Sequence, residues 1–553
     1  MKFLWLDINA SYSHSSLALP ALHAQLKEPV LSACNWYAVQ GTIKTNPGQI
    51  LSEILEIAPD YIFATGWLFN IERLLEILSK ADAVGSFKGI FLGGPEFLGD
   101  NGRFLRAHPF ITAVFKGEGE EMFPAFISHL LHEKEDPEWN RWKEIPGFEY
   151  LDGDRYCYSR PVTVKNFPQL SIPENSPFFN WEKAFVQLET SRGCFNTCRF
   201  CVSGIERAPV QNIPVAELRK RLRNIQRHNI REVRILDRTF NANTPRALEM
   251  LELFREFAGE IQFHIEVHPA LLSPQLKEYF HTLPDKLLHV EAGIQSLREP
   301  VIEGCKRAGK SKEALAGLKF LLSVNKFEVH ADLIAGLPGY TFGELLEDTL
   351  ELMDTGSQEI QLELLKVLPG TYFREHAATF GLKYSPLPPY EVLQTPGISY
   401  AELQNSMVLS RIIDYWYNDP RWRTVFCSVF RQKKELLRQF TDTLSGTEIM
   451  TQPLSFESRS LLLYDFCKQY AREELFSVSL QWIRNGLSLK KEPASLLTAW
   501  NPRVSQPENP LFDPRNPRIK YYYAIHKDLI YWFSYDNETE RNKPAKELAK
   551  QLI

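Results

Sequence analysis

The sequence is short of cysteine. Eight in 553 residues are too few and too scattered for a disulfide framework. No apolar run approaches the ~18 residues that would cross a bilayer. Neither charge dominates: 63 Lys and Arg face 68 Asp and Glu, a net charge of −5, so no basic field points to nucleic acid. No G-x-G-x-x-G opens a helix after the first apolar run, which argues against a nicotinamide cofactor. The opening residues, Met1 to Asp7, meet an acid at position 7 and lack a small-residue cleavage site. They read as a first strand rather than a signal peptide. A reducing cytoplasm without membrane contact is the expected setting.

What cysteine there is concentrates in one place. Cys194, Cys198 and Cys201 stand in a C-x-x-x-C-x-x-C run, directly after the strand-like segment Ala184 to Leu188. Three thiolates so close can hold three corners of a 4Fe-4S cluster and leave the fourth iron open to a ligand. The other cysteines, Cys34, Cys157, Cys305, Cys427 and Cys467, form no second pair. A structural zinc site is the alternative, with His264 or His268 as fourth ligand, in a non-catalytic binding protein.

The fold class expected is α/β, with a mainly helical end, and the length suits two to four domains. Residues 1–135 alternate strand and helix as an open, doubly wound parallel sheet. Its strand-like runs are Lys2 to Ile8, Tyr61 to Thr65, Gly89 to Leu92 and Ile111 to Phe115. Residues 136–175 read as a linker with hairpin-like pieces at Phe148 to Leu151 and Arg155 to Tyr158. Residues 176–389 give about six βα units, a partial (βα)6 barrel whose active groups belong at the carboxyl ends of the strands. Residues 390–553 carry helical spacing and a terminal hairpin, and read as a cap. In the first domain, the turns that follow strands are where ligands bind in such sheets. They hold Tyr12 and Ser13, Trp67 and Asn70, Gly93-Gly94-Pro95-Glu96, and Gly117-Glu118-Gly119-Glu120.

The cysteine run, with aromatic Phe200 before its last cysteine, resembles the signature of the radical S-adenosylmethionine (SAM) enzymes. The order of parts resembles their cobalamin-binding class, in which a doubly wound domain with G-G-x-E-like and G-E-G-E-like turns precedes the cluster motif. That resemblance implies a 4Fe-4S cluster on Cys194, Cys198 and Cys201, reductive cleavage of SAM to a 5′-deoxyadenosyl radical, and cobalamin on the first domain. Methylation of an unactivated carbon in a small molecule is the implied outcome, with a flavodoxin- or ferredoxin-type electron donor and anaerobic conditions. It also implies that Glu266, Gln295, Arg307, Gly336 and Pro338 contact SAM. Tyr12, Ser13, Trp67, Asn70, Gly93, Gly94, Glu96 and Glu118 would contact cobalamin. The D-x-H-x-x-G motif of cobalamin mutases is absent, and His14 is the histidine nearest the ligand end of the sheet. The alternatives are a radical cyclase or rearrangement enzyme and an RNA or protein methylthiotransferase. The last would need three N-terminal cysteines for a second cluster, where this chain has only Cys34 before residue 150.

Overall fold

Phe3 to Ile8 are buried without a break, Asp7 included, as a central strand covered on both faces requires. In the computed structural model, which describes residues 1–13, 16–132, 141–204, 209–507, 509–536 and 546–552, this segment is the strand Lys2–Asn9. The sheet around it runs Asn35–Thr42, Lys2–Asn9, Tyr61–Thr65, Gly89–Gly93, Ala113–Phe115, Phe148–Asp152, Arg155–Cys157. The first five strands are parallel and the last two antiparallel. Aliphatic residues such as Leu4, Leu6, Ile62 and Leu92 pack on one face, against helices Pro47–Ile57 and Ile71–Val84. Phe3, Trp5, Phe63 and Phe91 pack on the other, around Phe123 and Phe126.

Two features depart from expectation. Asn35–Thr42 was not foreseen as a strand, because its polar, half-exposed residues break the apolar pattern. The hairpin in the expected linker extends the sheet: Glu149 pairs with Val114, and its carboxylate accepts from Asn101 (2.7 Å) and Tyr156 (2.5 Å).

A second parallel set follows, with Phe185–Leu188, Glu232–Ile235, Gln262–Val267 and Leu288–Gln295 as neighbours in that order. Burial alternates along Gln262–Val267, so Phe263 and Ile265 face the helices while His264 and Glu266 share the opposite face. Phe263 stacks on Phe254 of helix Thr244–Arg255 at 3.9 Å. Strands Glu328–Ala335 and Glu359–Leu364 follow in the chain, with helix Phe342–Thr355 between them.

The chain divides into two compact units. One comprises residues 1–329, 336–340 and 364–399. The other comprises 330–335, 341–363 and 400–553. The second holds helices from Tyr400–Ile412 to Leu475–Arg484, with Trp416, Phe426, Phe440 and Phe466 at their centre. The terminal hairpin, Ile519–His526 with Leu529–Asp536, belongs to a larger antiparallel sheet, joined by Thr498–Ala499 and Lys546–Leu552.

In the first unit Arg221, on helix Val215–Arg227, is buried against Glu174, with two hydrogen bonds of 2.9 and 3.0 Å. Glu174→Ala is expected to cost about 3–5 kcal/mol by leaving a buried charge unpaired, and Glu174→Met with Arg221→Met to recover most of it. Denaturant unfolding of the two variants checks this.

Candidate functional site

The cysteine loop begins where strand Phe185–Leu188 ends, and one carboxylate sets its path. Asp237, buried just past strand Glu232–Ile235, accepts four hydrogen bonds. They come from the Thr190 N–H (2.8 Å) and hydroxyl (2.6 Å) and from the Ser191 N–H (2.9 Å) and hydroxyl (2.7 Å). The helix at Thr244 is capped by Asn243. Gly193 then turns the chain at φ +100°, where a side chain would be strained, and delivers Cys194.

The far end of the loop is fastened to residues 304–305. The Arg199 N–H donates to the Cys305 carbonyl (3.0 Å), and its guanidinium to that of Gly304 (2.8 Å). The same guanidinium lies over Tyr372 and Phe380.

Burial pushes the Cys198 thiol up to about 11, and Cys201 and Cys194 add to the rise through the repulsion of their charged forms. The charge of the Arg307 guanidinium opposes it. Three soft donors within electrostatic reach of one another, two of them half-buried and Cys198 buried, fit a metal that displaces their protons. Among the described residues no three His, Cys, Asp or Glu side chains gather about a single metal position. A cubane cluster takes its thiolates on separate irons. Of the histidines considered for zinc, His264 bonds Glu291 (3.1 Å) and stacks on His289, while buried His268 has neither ring nitrogen hydrogen-bonded.

Next to the loop is a cavity of about 860 Å³, within the size range of ligand pockets. It lies past the carboxyl ends of the sheet strands, at Asn9, Thr65 and Gly93, and on the aromatic face formed by Trp5, Phe63 and Phe91. Its far wall is the cysteine loop, Ser191 to Cys194, with Leu236 and Arg238. Arg192 binds the two walls together. It donates to Glu120 (2.8 Å) and Glu189 (2.6 and 3.1 Å), comes within 4.0 Å of Glu118, and lies on the Phe167 ring.

Of the residues expected at cobalamin, Trp67, Gly93, Gly94 and Glu118 line this cavity. Glu118 also accepts the Val164 N–H (2.5 Å). Asn70 does not line it: its amide donates to the Ile8 and Thr65 carbonyls and accepts from Trp67, joining two strand ends. Glu96 is turned away and hydrogen-bonded by the Tyr390 hydroxyl, and burial raises its pKa. Tyr12 is exposed and Ser13 bonds Ser11, both outside the cavity lining. His14 lies outside the described residues. Arg192 and Gln187 were missed; the three-residue spacing of Glu189 and Arg192 was the available signal.

Of the residues expected at SAM, Gln295 and Arg307 converge over Gly293. A β-carbon there would meet the Gln295 amide nitrogen at 2.7 Å and an Arg307 nitrogen at 3.0 Å. Glu266 stands beside Glu291 in register, and burial first, then Glu291, pushes its carboxyl up to about 7. Gly336 takes φ +83° at the start of a turn closed by the Tyr340 N–H on Leu337, with Pro338 within it.

A carboxyl whose pKa rises on folding binds its proton more tightly in the native state, so stability falls as pH climbs from the unfolded value of about 4.5 through about 7. Glu266→Gln is expected to flatten this fall and gain on the order of 2–3 kcal/mol above pH 7. Unfolding midpoints measured across pH 5–8 check it.

The family described as the radical SAM superfamily matches residues 188–353, and a protein family of unknown function, DUF4080, matches residues 378–484. Similar in sequence is the cobalamin-dependent radical SAM methyltransferase TokK of Streptomyces tokunonensis. It is 22% identical over 363 residues, covering 62% of this chain and 52% of TokK. So is the tRNA-2-methylthio-N(6)-dimethylallyladenosine synthase of Methylococcus capsulatus. It is 26% identical over 230 residues, covering 39% of this chain and 49% of the synthase. The chain thus spans about half the length of these curated relatives. Among solved structures it resembles the cobalamin-dependent SAM radical enzyme OxsB, with aqua-cobalamin and SAM bound. The TM-score is 0.57 at 17% identity, covering 87% of this chain and 78% of OxsB. The cysteine nest therefore opens the stretch, residues 188–353, that matches the radical SAM superfamily, in a chain whose fold is similar to that of OxsB.

Proposed function

We propose that this protein is a cobalamin-dependent radical SAM enzyme that methylates an unactivated carbon of a small molecule. Its electron would come from a flavodoxin- or ferredoxin-type donor in a reducing, anaerobic cytoplasm. The observation that carries this reading is the shared wall: Ser191 to Cys194 close the same cavity that the sheet opens at Gly93 and Gly94. Cys194, Cys198 and Cys201 would hold the cluster, Arg307 and Gln295 would meet SAM, and the cavity would take the corrin. When bound, the cluster would supply the electron that cleaves the sulfonium, and cobalamin the methyl group.

The chain's own part is positioning. Asp237 and Gly193 aim the first thiol, Arg199 anchors the second and third, and Arg192 fixes the loop against the Glu118–Glu120 turn. Two reactive groups held in one walled space replace a bimolecular encounter with a local one. Glycines 93 and 119 leave backbone bare along the cavity, and a β-carbon on Gly93 would meet nothing nearer than 3.9 Å.

Anaerobically reconstituted protein, given SAM and a strong reductant, is expected to release 5′-deoxyadenosine. Cys198→Ala should abolish this, and Cys305→Ala should leave it within about twofold. Loss in Cys305→Ala with three-cysteine loading intact would contradict an iron free of protein ligands.

Gly93→Trp is expected to cut cobalamin uptake at least tenfold, about 1.4 kcal/mol, while leaving iron content unchanged. Visible absorbance of desalted protein reads both. Uptake undiminished by that substitution would move cobalamin out of this cavity.

A further inference from the structure

Two arginines line the large cavity, and their surroundings differ. Arg192 is caged: the acids of the lining, Glu118, Glu120 and Glu189, all stand within 4.0 Å of it. It already commits its three guanidinium nitrogens to Glu189 and Glu120. Arg238 is exposed on the same cavity. Among the described residues its guanidinium has no hydrogen bond and no ion pair, although Glu266 on the next strand feels its charge.

The backbone that carries Arg238 is fixed on both sides. Asp237 is buried and bonded four times to Thr190 and Ser191. Phe240 is buried, and its N–H donates to the Glu266 carbonyl (2.9 Å). The Asn241 amide then exchanges two hydrogen bonds of 2.8 Å with the His268 backbone. Alternation past strand Glu232–Ile235 turns Leu236 and Arg238 to the cavity while Asp237 turns inward. Gln187, on the neighbouring strand, lines the same cavity, and its amide also has no partner among the described residues.

Much of the remaining lining is aromatic, with Trp5, Phe63, Phe91 and Phe115. In an apolar pocket the few polar groups on fixed backbone set what binds and how it lies. A guanidinium presents a planar fork that fits a carboxylate bidentately, repels a cation and gains less from an uncharged group. Cys194 lines the same space, so a molecule held at Arg238 lies in the chamber that the cysteine loop closes.

We propose that Arg238 binds a carboxylate of the molecule that is methylated, so that the substrate is a small carboxylic acid with an apolar body. The inference rests on the methyl-transfer reading above and adds the substrate class to it.

The test uses the full-length protein reconstituted with iron, sulfide, cobalamin and SAM. Phenylglyoxal modifies accessible guanidinium groups, and peptide mass spectrometry reads Arg238 and caged Arg192 separately. The probes are hydrocinnamate and its uncharged amide, which share one aromatic body. The acid is expected to slow modification of Arg238 about tenfold and the amide less than about twofold, as a charge-assisted fork requires. Quenching of tryptophan fluorescence, from Trp5 and Trp67 in the lining, gives the affinity for the acid. Arg238→Gln should weaken it about tenfold and Arg238→Lys by less. If a variant misfolds, labelling of the wild type decides alone. Equal modification with both probes would overturn the proposal and leave methyl transfer standing. In cobalamin-free protein, protection by added cobalamin but not by cobinamide, which lacks the nucleotide phosphate, would assign Arg238 to the cofactor and overturn the proposal as well. Protein that takes up no cobalamin and releases no 5′-deoxyadenosine would overturn the methyl-transfer reading and this inference together.

Discussion

A largely buried cation, Arg192, does most to hold the candidate site together. It stands two residues before the first cysteine and is caged by Glu118, Glu120 and Glu189, with Phe167 against its face. Two of those acids belong to the G-E-G-E turn of the sheet and one to the barrel strand end. Surface ion pairs contribute little, but a mostly buried Arg with several carboxylates has no alternative partners and fixes geometry. The sheet's ligand end and the cysteine loop are thereby held as two walls of one cavity.

Two other contacts secure the loop from independent directions. Asp237 takes four hydrogen bonds from Thr190 and Ser191, and Arg199 reaches Gly304 and Cys305. Away from the loop, Glu96 and Tyr390 join the Gly93-Gly94-Pro95-Glu96 turn to the segment after the barrel. Leu98 and Gly99 meet Pro369 and Gly370 backbone to backbone, where a β-carbon on Gly370 would stand 2.8 Å from the Leu98 carbonyl. Such close, multiply determined contacts suit a loop whose three sulfurs must arrive already placed.

Much of this was legible in the sequence, for physical reasons. The parallel strands are continuous apolar runs, the alternation of His264 and Glu266 with Phe263 and Ile265 marks a two-faced strand, and the cysteine spacing is local. The glycine turns at residues 93–94 and 117–119 also pointed to the cavity, because bare backbone there is a local property. Long-range polar pairings were not legible. Glu96 sits in a motif expected to face a cofactor, yet its partner is Tyr390, far along the chain. Only the fold shows that Asp237 meets Thr190 and Ser191. Asn70 has the composition of a ligand contact and the geometry of a strand staple. The strand Asn35–Thr42 escaped notice because an edge position tolerates polar residues that a central strand would not.

The central claim is that the three cysteines leave one iron for SAM. Mössbauer spectroscopy of protein reconstituted with iron-57 tests this most directly. One iron in four should have parameters distinct from the rest and should change when SAM is added. Four equivalent irons that ignore SAM, or a single mononuclear metal, would contradict the account.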